Sequence, residues 1–125
     1  MSSRPQFDPY PVIKNGDMSQ ASLTSDITII RKLSLLSYGV SWSGTSPVGS
    51  IVVEVSNDYA INSDGSVQHA GTWNDLPLSA PTTVSGNTGM GFIDIFATSA
   101  FAIRLKYIKG SGTGTLQVTA CGKVA

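Results

Sequence analysis

The cleanest alternation of apolar and polar positions runs from residue 35 to residue 43. Leu36, Tyr38, Val40 and Trp42 alternate with Ser37, Gly39, Ser41 and Ser43, the period of a half-buried strand. A second run follows, in which Ile51, Val53 and Val55 share one face and Val52, Glu54 and Ser56 the other. Gly44, Pro47 and Gly49 punctuate the gap, where backbone freedom and a fixed φ are useful. The pattern predicts a hairpin over Trp42–Asn57, with the two runs pairing antiparallel. The C-terminal third repeats the logic. Phe101, Ile103, Leu105 and Tyr107 face away from Arg104 and Lys106, and Leu116, Val118 and Ala120 alternate with Gln117, Thr119 and Cys121. Lys109-Gly110-Ser111-Gly112-Thr113-Gly114 between them predicts a flexible hairpin connection.

Weaker segments complete the set. One strand is expected from about Ala21 to Ile29, with a break near Ile30–Lys32. A helix over Asp26–Leu36 is the alternative there, since Ile29, Ile30, Leu33 and Leu36 could share a stripe, although β-branched and serine neighbours oppose it. Residues 56–66 read as a polar connection, and Val67–Gly71 as a brief pairing or a loop. Trp73, Leu76 and Leu78 are expected to pack on the core, with Pro77 marking an edge. Gly86-Asn87-Thr88-Gly89 is a turn signal, and Gly91–Ala97 a strand of ambiguous facing. These segments predict an all-β fold: a two-sheet antiparallel β-sandwich or jelly-roll-like domain of about 7–8 strands, with a flattened β-barrel as the alternative.

The first 20 residues differ from the rest. Pro5, Pro9 and Pro11 interrupt Phe7, Tyr10, Val12 and Ile13, which argues against a central strand. An extended N-terminal arm over 1–20, packed on its own domain or on a neighbouring subunit, accounts for both prolines and aromatics. Phe7, Tyr10, Val12 and Ile13 are its candidate contacts with a subunit or a capsid. Asn15-Gly16-Asp17 would release the arm from a single β-sandwich domain over 21–125.

Composition narrows the partners. The chain has 125 residues, 41% hydrophobic but only 13% charged, so Ser, Thr, Asn and Gly must carry its solubility or neighbours must cover its surface. A formal net charge of +0 gives copies little reason to repel one another and gives nucleic acid or an anionic membrane little to attract. A homo-oligomer is expected, without direct nucleic-acid or membrane binding. The single cysteine, Cys121, rules out an internal disulfide and is expected to be a small packing residue. No apolar stretch approaches a membrane span, and the start lacks the apolar core of a signal peptide, so synthesis in a reducing cytoplasm is expected.

Candidate chemistry is sparse. His69 is the only histidine and lies among Gly, Ser and Asn without a local nucleophile or acid partner. Asp58 to Asp64 offers loop oxygens at a spacing unlike an EF-hand, and turn capping accounts for them. The glycines at 110–114 lack the Gly-Lys-Ser/Thr ending of a phosphate loop. These residues predict a non-enzymatic protein without a cofactor or metal. One binding alternative stands beside that: Tyr59, Trp73 and Asp75 could frame a shallow glycan site.

Several segments together carry a family resemblance: Asn15-Gly16-Asp17-Met18-Ser19, residues 40–49, residues 53–58, Gly71-Thr72-Trp73-Asn74-Asp75-Leu76, and Arg104-Leu105-Lys106-Tyr107 followed by residues 110–114. From about residue 15 to the C terminus the chain resembles small β-sandwich structural proteins of tailed bacteriophages. The resemblance implies a virion component assembled in the host cytoplasm, with head decoration as the first choice and the major capsid protein or another virion protein as partner. Head–tail connector or tail component is an alternative, and so is a carbohydrate-binding module of a phage tail or surface protein. No catalytic residues are carried over.

Overall fold

The computed structural model describes residues 6–30, 35–78, 82–96 and 100–123, without the side chains of residues 6–8, 96 and 123. All the regular structure described is β. The strands are β1 (Gln6–Asp17), β2 (Ser22–Thr24), β3 (Thr28–Ile29), β4 (Leu35–Ser56), β5 (Ala60–Ile61), β6 (Val67–His69), β7 (Asn74–Leu76), β8 (Thr82–Val84), β9 (Thr88–Phe96) and β10 (Ala102–Lys123). Eight form one antiparallel sheet, and β5 and β6 form a small second one.

The large sheet has four lanes. At its centre β4 and β10 pair along their whole lengths, from Lys123↔Leu35 to Ala102↔Ser56. Along the other side of β10 run β1, β2 and β3 in succession, and along the other side of β4 run β7, β8 and β9. Neither outer lane pairs with the other, so among the described residues the sheet is open rather than a closed barrel.

Two expected hairpins are therefore corrected. Residues 35–56 are one 22-residue strand, and so are residues 102–123. Trp42 pairs with Leu116 and Gly89, not with the 51–55 run, and Val53 pairs with Leu105 and Leu76. The physical reason is a pair of β-bulges. Register passes from Lys109↔Gly49 to Ser111↔Val48 and then to Thr113↔Thr45, so β10 carries one extra residue and β4 carries the next. The inward positions change parity at this point, from Leu36, Tyr38, Val40 and Trp42 to Ile51 and Val53, and from Ile103, Leu105 and Tyr107 to Leu116, Val118 and Ala120. Unbroken alternation would carry one set to the opposite face of the sheet. One inserted residue per strand keeps both sets on the same face.

The ribbon folds over along this line. A straight 22-residue strand would be about 70 Å long. Yet Ile30, beyond β3 at one end of the ribbon, is five Cα steps from Leu35 at the other, so the two ends lie within about 19 Å. Asp26 N donates to Val12 O at 3.0 Å across the two layers. The inward residues of both halves form one core, including Ile13, Leu116, Val118, Tyr38, Val40, Ile93 and Ile95 from one layer and Ile103, Leu105, Tyr107, Ile51, Val53 and Val84 from the other. Each such side chain contributes about 1.5–3 kcal/mol on burial.

The fold line crosses all four lanes. It passes through Met18–Ala21, the bulged residues 109–113 and 45–48, and Ser85–Asn87. Met18 is fully buried there, and its N–H donates to Gly114 O at 2.9 Å. Gly44 N donates to Asn87 O at 2.7 Å, and the Asn87 Oδ1 accepts from Ser46 N at 2.8 Å. Pro47 is buried at the bend instead of standing in an exposed turn. Gly112 has φ +81°, and a Cβ on it would run into the backbone of Ser46 and Pro47, so this crossing demands glycine.

The expected strand over residues 21–29 is two short pieces, and Ser25 repairs the break. Its N–H donates to Leu105 O and its hydroxyl accepts from Leu105 N, both at 2.8 Å, which satisfies a buried ladder position that neither β2 nor β3 reaches. The strand expected over Gly91–Ala97 is met by β9 as far as Phe96, Ala97 lying outside the described residues; its Ile93 and Ile95 face the core while Met90 and Phe92 face solvent. The break expected near residues 30–32 and the helical alternative extend into residues 31–34, outside the described residues.

Candidate functional site

Residues 6–17 pair with β10 as a strand at the sheet edge. Asn15 adopts φ 53° inside a bulge between Ile13↔Val118 and Gly16↔Leu116, with its N–H bonded to Gln117 Oε1 at 3.0 Å. The 15–17 signal therefore marks a kink within a paired strand, and no chain release occurs there. Val12 and Ile13 are 4% and 8% exposed and belong to the chain's own core, which corrects their assignment as outward contacts. Neighbours normally point to opposite faces, but a register shift between Pro11 and Ile13 lets both turn inward. Tyr10 is 53% exposed and remains available to a partner. The side chain of Phe7 lies outside the described residues; its backbone pairs with Gly122.

The glycan candidates meet only in part. Tyr59 and Trp73 lie together, ring centroids 6.0 Å apart and tilted by 50°. The Trp73 indole is already engaged: the Arg104 guanidinium sits 4.1 Å from its ring centroid, and Nε1 donates to Ala70 O at 3.0 Å. Arg104 Nε in turn donates to Glu54 Oε1 at 2.8 Å, with both side chains largely shielded from solvent. Asp75, exposed on β7, pairs with Glu54 across the ladder, so Asp75, Glu54 and Arg104 form a row over three strands. A sugar-stacking plate needs an open ring face, and a stacked cation takes one face of Trp73.

Beside this row a groove of about 370 Å³ is lined by Val55, Ser56, Asn57, Asp58, Thr72, Asn74 and Ala100. Asp58 Oδ1 accepts from Thr72 N at 2.6 Å and from the Ser56 hydroxyl at 2.8 Å. Those two bonds, the Thr72 amide first, push its pKa down to about 2. A carboxyl held ionised that far below neutrality is a poor proton donor or acceptor at physiological pH. Asn57 Oδ1 accepts from Phe101 N at 2.9 Å. These polar groups thus tie residues 56–58, 72 and 101 together. His69 lies exposed on β6, its Nδ1 accepting from Gly71 N at 3.1 Å. Among the described residues no group of three or more His, Cys, Asp and Glu side chains is placed to hold a metal ion. Cys121 is half-buried on β10, opposite Ser37.

The surface feature that the residue pattern left unassigned is on β9. Met90 is 84% and Phe92 68% exposed, the two most exposed large hydrophobic side chains among the described residues. Both faces of this strand are apolar in sequence, which hid its orientation. The glycines at 89 and 91 hold the usable signal, since they take the inward positions continued by Ile93 and Ile95.

No protein-family model and no curated relative matches the chain. Among solved structures, one titled as the SPBc2 prophage-derived protein YomS covers 97% of this chain and 96% of its own, with 12% identity and a TM-score of 0.47. At that level the likeness carries no statement about activity or partners.

Proposed function

We propose that this protein is a non-enzymatic structural component of a bacteriophage virion, acting through protein–protein contacts. Decoration and stabilisation of the capsid is the first position considered, with the head–tail connector or tail as alternatives. The reading is supported by the ordered segments that resemble small phage β-sandwich proteins. The observation that carries it is the character of the exposed surface: Met90, Phe92 and Tyr10 stand out of a sheet with few charges, a surface suited to covering by other protein. In this role the folded ribbon is a stiff body, and the exposed β9 and β1 faces meet the major capsid protein or a neighbouring subunit.

Cosedimentation with particles of its own phage that lack the protein tests the proposal. Saturable binding to assembled particles, and not to unassembled capsid protein alone, is the expected result; absence of binding to particles, connectors and tails alike would overturn it. Glycan binding by a tail or surface module is the second reading, favoured by the adjacency of Tyr59 and Trp73. It predicts array binding that is lost in a folded Trp73→Ala variant, whereas the Arg104 stack on Trp73 predicts no glycan signal from the wild type.

A further inference from the structure

Among the described residues the large sheet has several free edges, and all but one carry devices that discourage another strand from adding. The outer lane formed by β1 has three register shifts and contains Pro9, Pro11 and Lys14. β2 and β3 are three and two residues long. β7 and β8 are three residues each, and Pro77 directly follows β7. Bulges, prolines, lysines and short length are the usual means of blunting an edge. β9 has none of these, and a single charged side chain, Asp94. It runs nine residues, Thr-Gly-Met-Gly-Phe-Ile-Asp-Ile-Phe, and pairs with β4 from Ser43↔Thr88 to Leu35↔Phe96 without a register shift. Among the described residues no strand lies on its far side. Its outward face carries the exposed Met90 and Phe92.

We infer that the far edge of β9 is a strand-addition site and that its occupant is β9 of a second copy of this chain, paired antiparallel about a two-fold axis. The side-chain sequence fits that occupant. With Gly91 opposite Gly91 of the second copy, Met90 faces Phe92 of the second copy and Thr88 faces its Asp94, and the same contacts repeat across the axis. Apolar meets apolar, with a thioether against an aromatic ring. The only acid of the strand meets a hydroxyl donor, and the two Asp94 carboxylates stand at opposite ends of the pairing. Setting Phe92 on the axis instead would place Met90 against Asp94. The chain's net charge of +0 gives two copies no long-range repulsion, and β9 offers a charged partner strand nothing but Asp94 to pair with. The product is a layer continued through the interface, β1-β10-β4-β9 followed by its mirror order in the second copy, with an isologous interface. This inference stands on the edge itself and does not depend on the virion reading.

Sedimentation equilibrium of the full chain, compared with Phe92→Lys, Met90→Lys and a Val67→Lys control, tests it. Positions 90 and 92 are exposed, so both variants should keep the wild-type circular dichroism spectrum, while their melting should lose the concentration dependence that a dimer confers. The wild type is expected at twice the monomer mass. Either lysine at the β9 edge should weaken association by about thirtyfold or more, the size of a hot-spot loss. Val67, exposed on β6, should have no effect. In a Cys121→Ser background, a mixture of Met90→Cys and Phe92→Cys chains should form disulfides faster than either chain alone, as the register requires. A wild type that stays monomeric overturns the inference, as does a dimer that both lysines leave intact. A monomer whose binding to particles is abolished by Phe92→Lys would assign the edge to a strand from another protein, and would equally overturn the second-copy occupant.

Discussion

The inner and outer lanes of the sheet meet the same bend in different ways. β4 and β10 cross the fold line unbroken, each absorbing it with one bulge, whereas the flanking lanes fall into three pieces each. The difference follows from hydrogen-bonding geometry. An inner lane has a neighbour on both sides, so a break would strand N–H and C=O groups in the interior, where each unpaired group costs about 1–3 kcal/mol. An outer lane has water along one side and can lose its ladder locally at little cost. Where an outer lane does break over a buried inner position, a side chain fills in, as Ser25 does at Leu105. Continuity is thus imposed from inside the sheet outward, and it leaves the segmented strands, β9 among them, at the periphery.

Two glycines on the fold line offer the sharpest way to break this comparison. Gly112 in β10 and Gly86 between β8 and β9 have nearly the same φ, +81° and +83°. A Cβ at Gly112 would strike the Ser46–Pro47 backbone, whereas at Gly86 the nearest atom is Thr88 O at 3.8 Å. Gly112→Ala should cost about 3 kcal/mol or more and Gly86→Ala about 1 kcal/mol in urea denaturation. Equal costs would mean that the inner lanes are not the constrained ones. Next in size, Ser25→Ala should cost about 2 kcal/mol by leaving the Leu105 amide unpaired, and hydrogen exchange at Leu105 should accelerate while that at Leu116 does not. Arg104→Lys keeps the charge but loses the planar stack on Trp73, so a loss of about 1 kcal/mol is expected, together with a shift in tryptophan fluorescence.

The smallest effect concerns Asp58, whose pKa is depressed from 3.8 to about 2 in the folded chain. A depressed carboxyl contributes stability that is present above its unfolded pKa and lost as pH falls through the folded value. The stability gap between the wild type and Asp58→Asn should therefore be full above about pH 4 and shrink as pH approaches 2. Denaturation at a series of pH values reads it, and a gap that widened on acidification would contradict the hydrogen-bond assignment.

Much of this was legible in the residue pattern, and the misreadings have one cause. The all-β class, the inward faces of residues 36–42, 51–53, 103–107 and 116–120, and the irregularities at 15–17, 44–49, 86–89 and 109–114 follow from alternation and from glycine, proline and asparagine, whereas the break at Ser25 carries none of those residues. The signals at 15–17, 44–49, 86–89 and 109–114 are real, but they line up near one bend across four lanes and do not reverse the chain. A bulge and a turn call for the same residues, because both need positive φ or a fixed proline. Only the partner decides between them, and Trp42 finds its partner at Leu116, far along the chain. The parity change from Trp42 to Ile51 was visible, and it fits a bulge as well as a turn. The burial of adjacent Val12 and Ile13 was hidden for the same reason, since the bulge that permits it depends on pairing with β10. At the candidate site, the closeness of Tyr59 and Trp73 was legible. The Arg104 stack was not, because it joins strands that local sequence does not connect.

The most direct test of the folded ribbon is a backbone nuclear Overhauser measurement across β4. The four-lane arrangement predicts cross-strand contacts between the main chains of Trp42 and Leu116 and between those of Val53 and Leu105. Main-chain cross-strand contacts linking residues 40–43 to residues 50–53 would restore a hairpin at Gly44–Gly49 and contradict it.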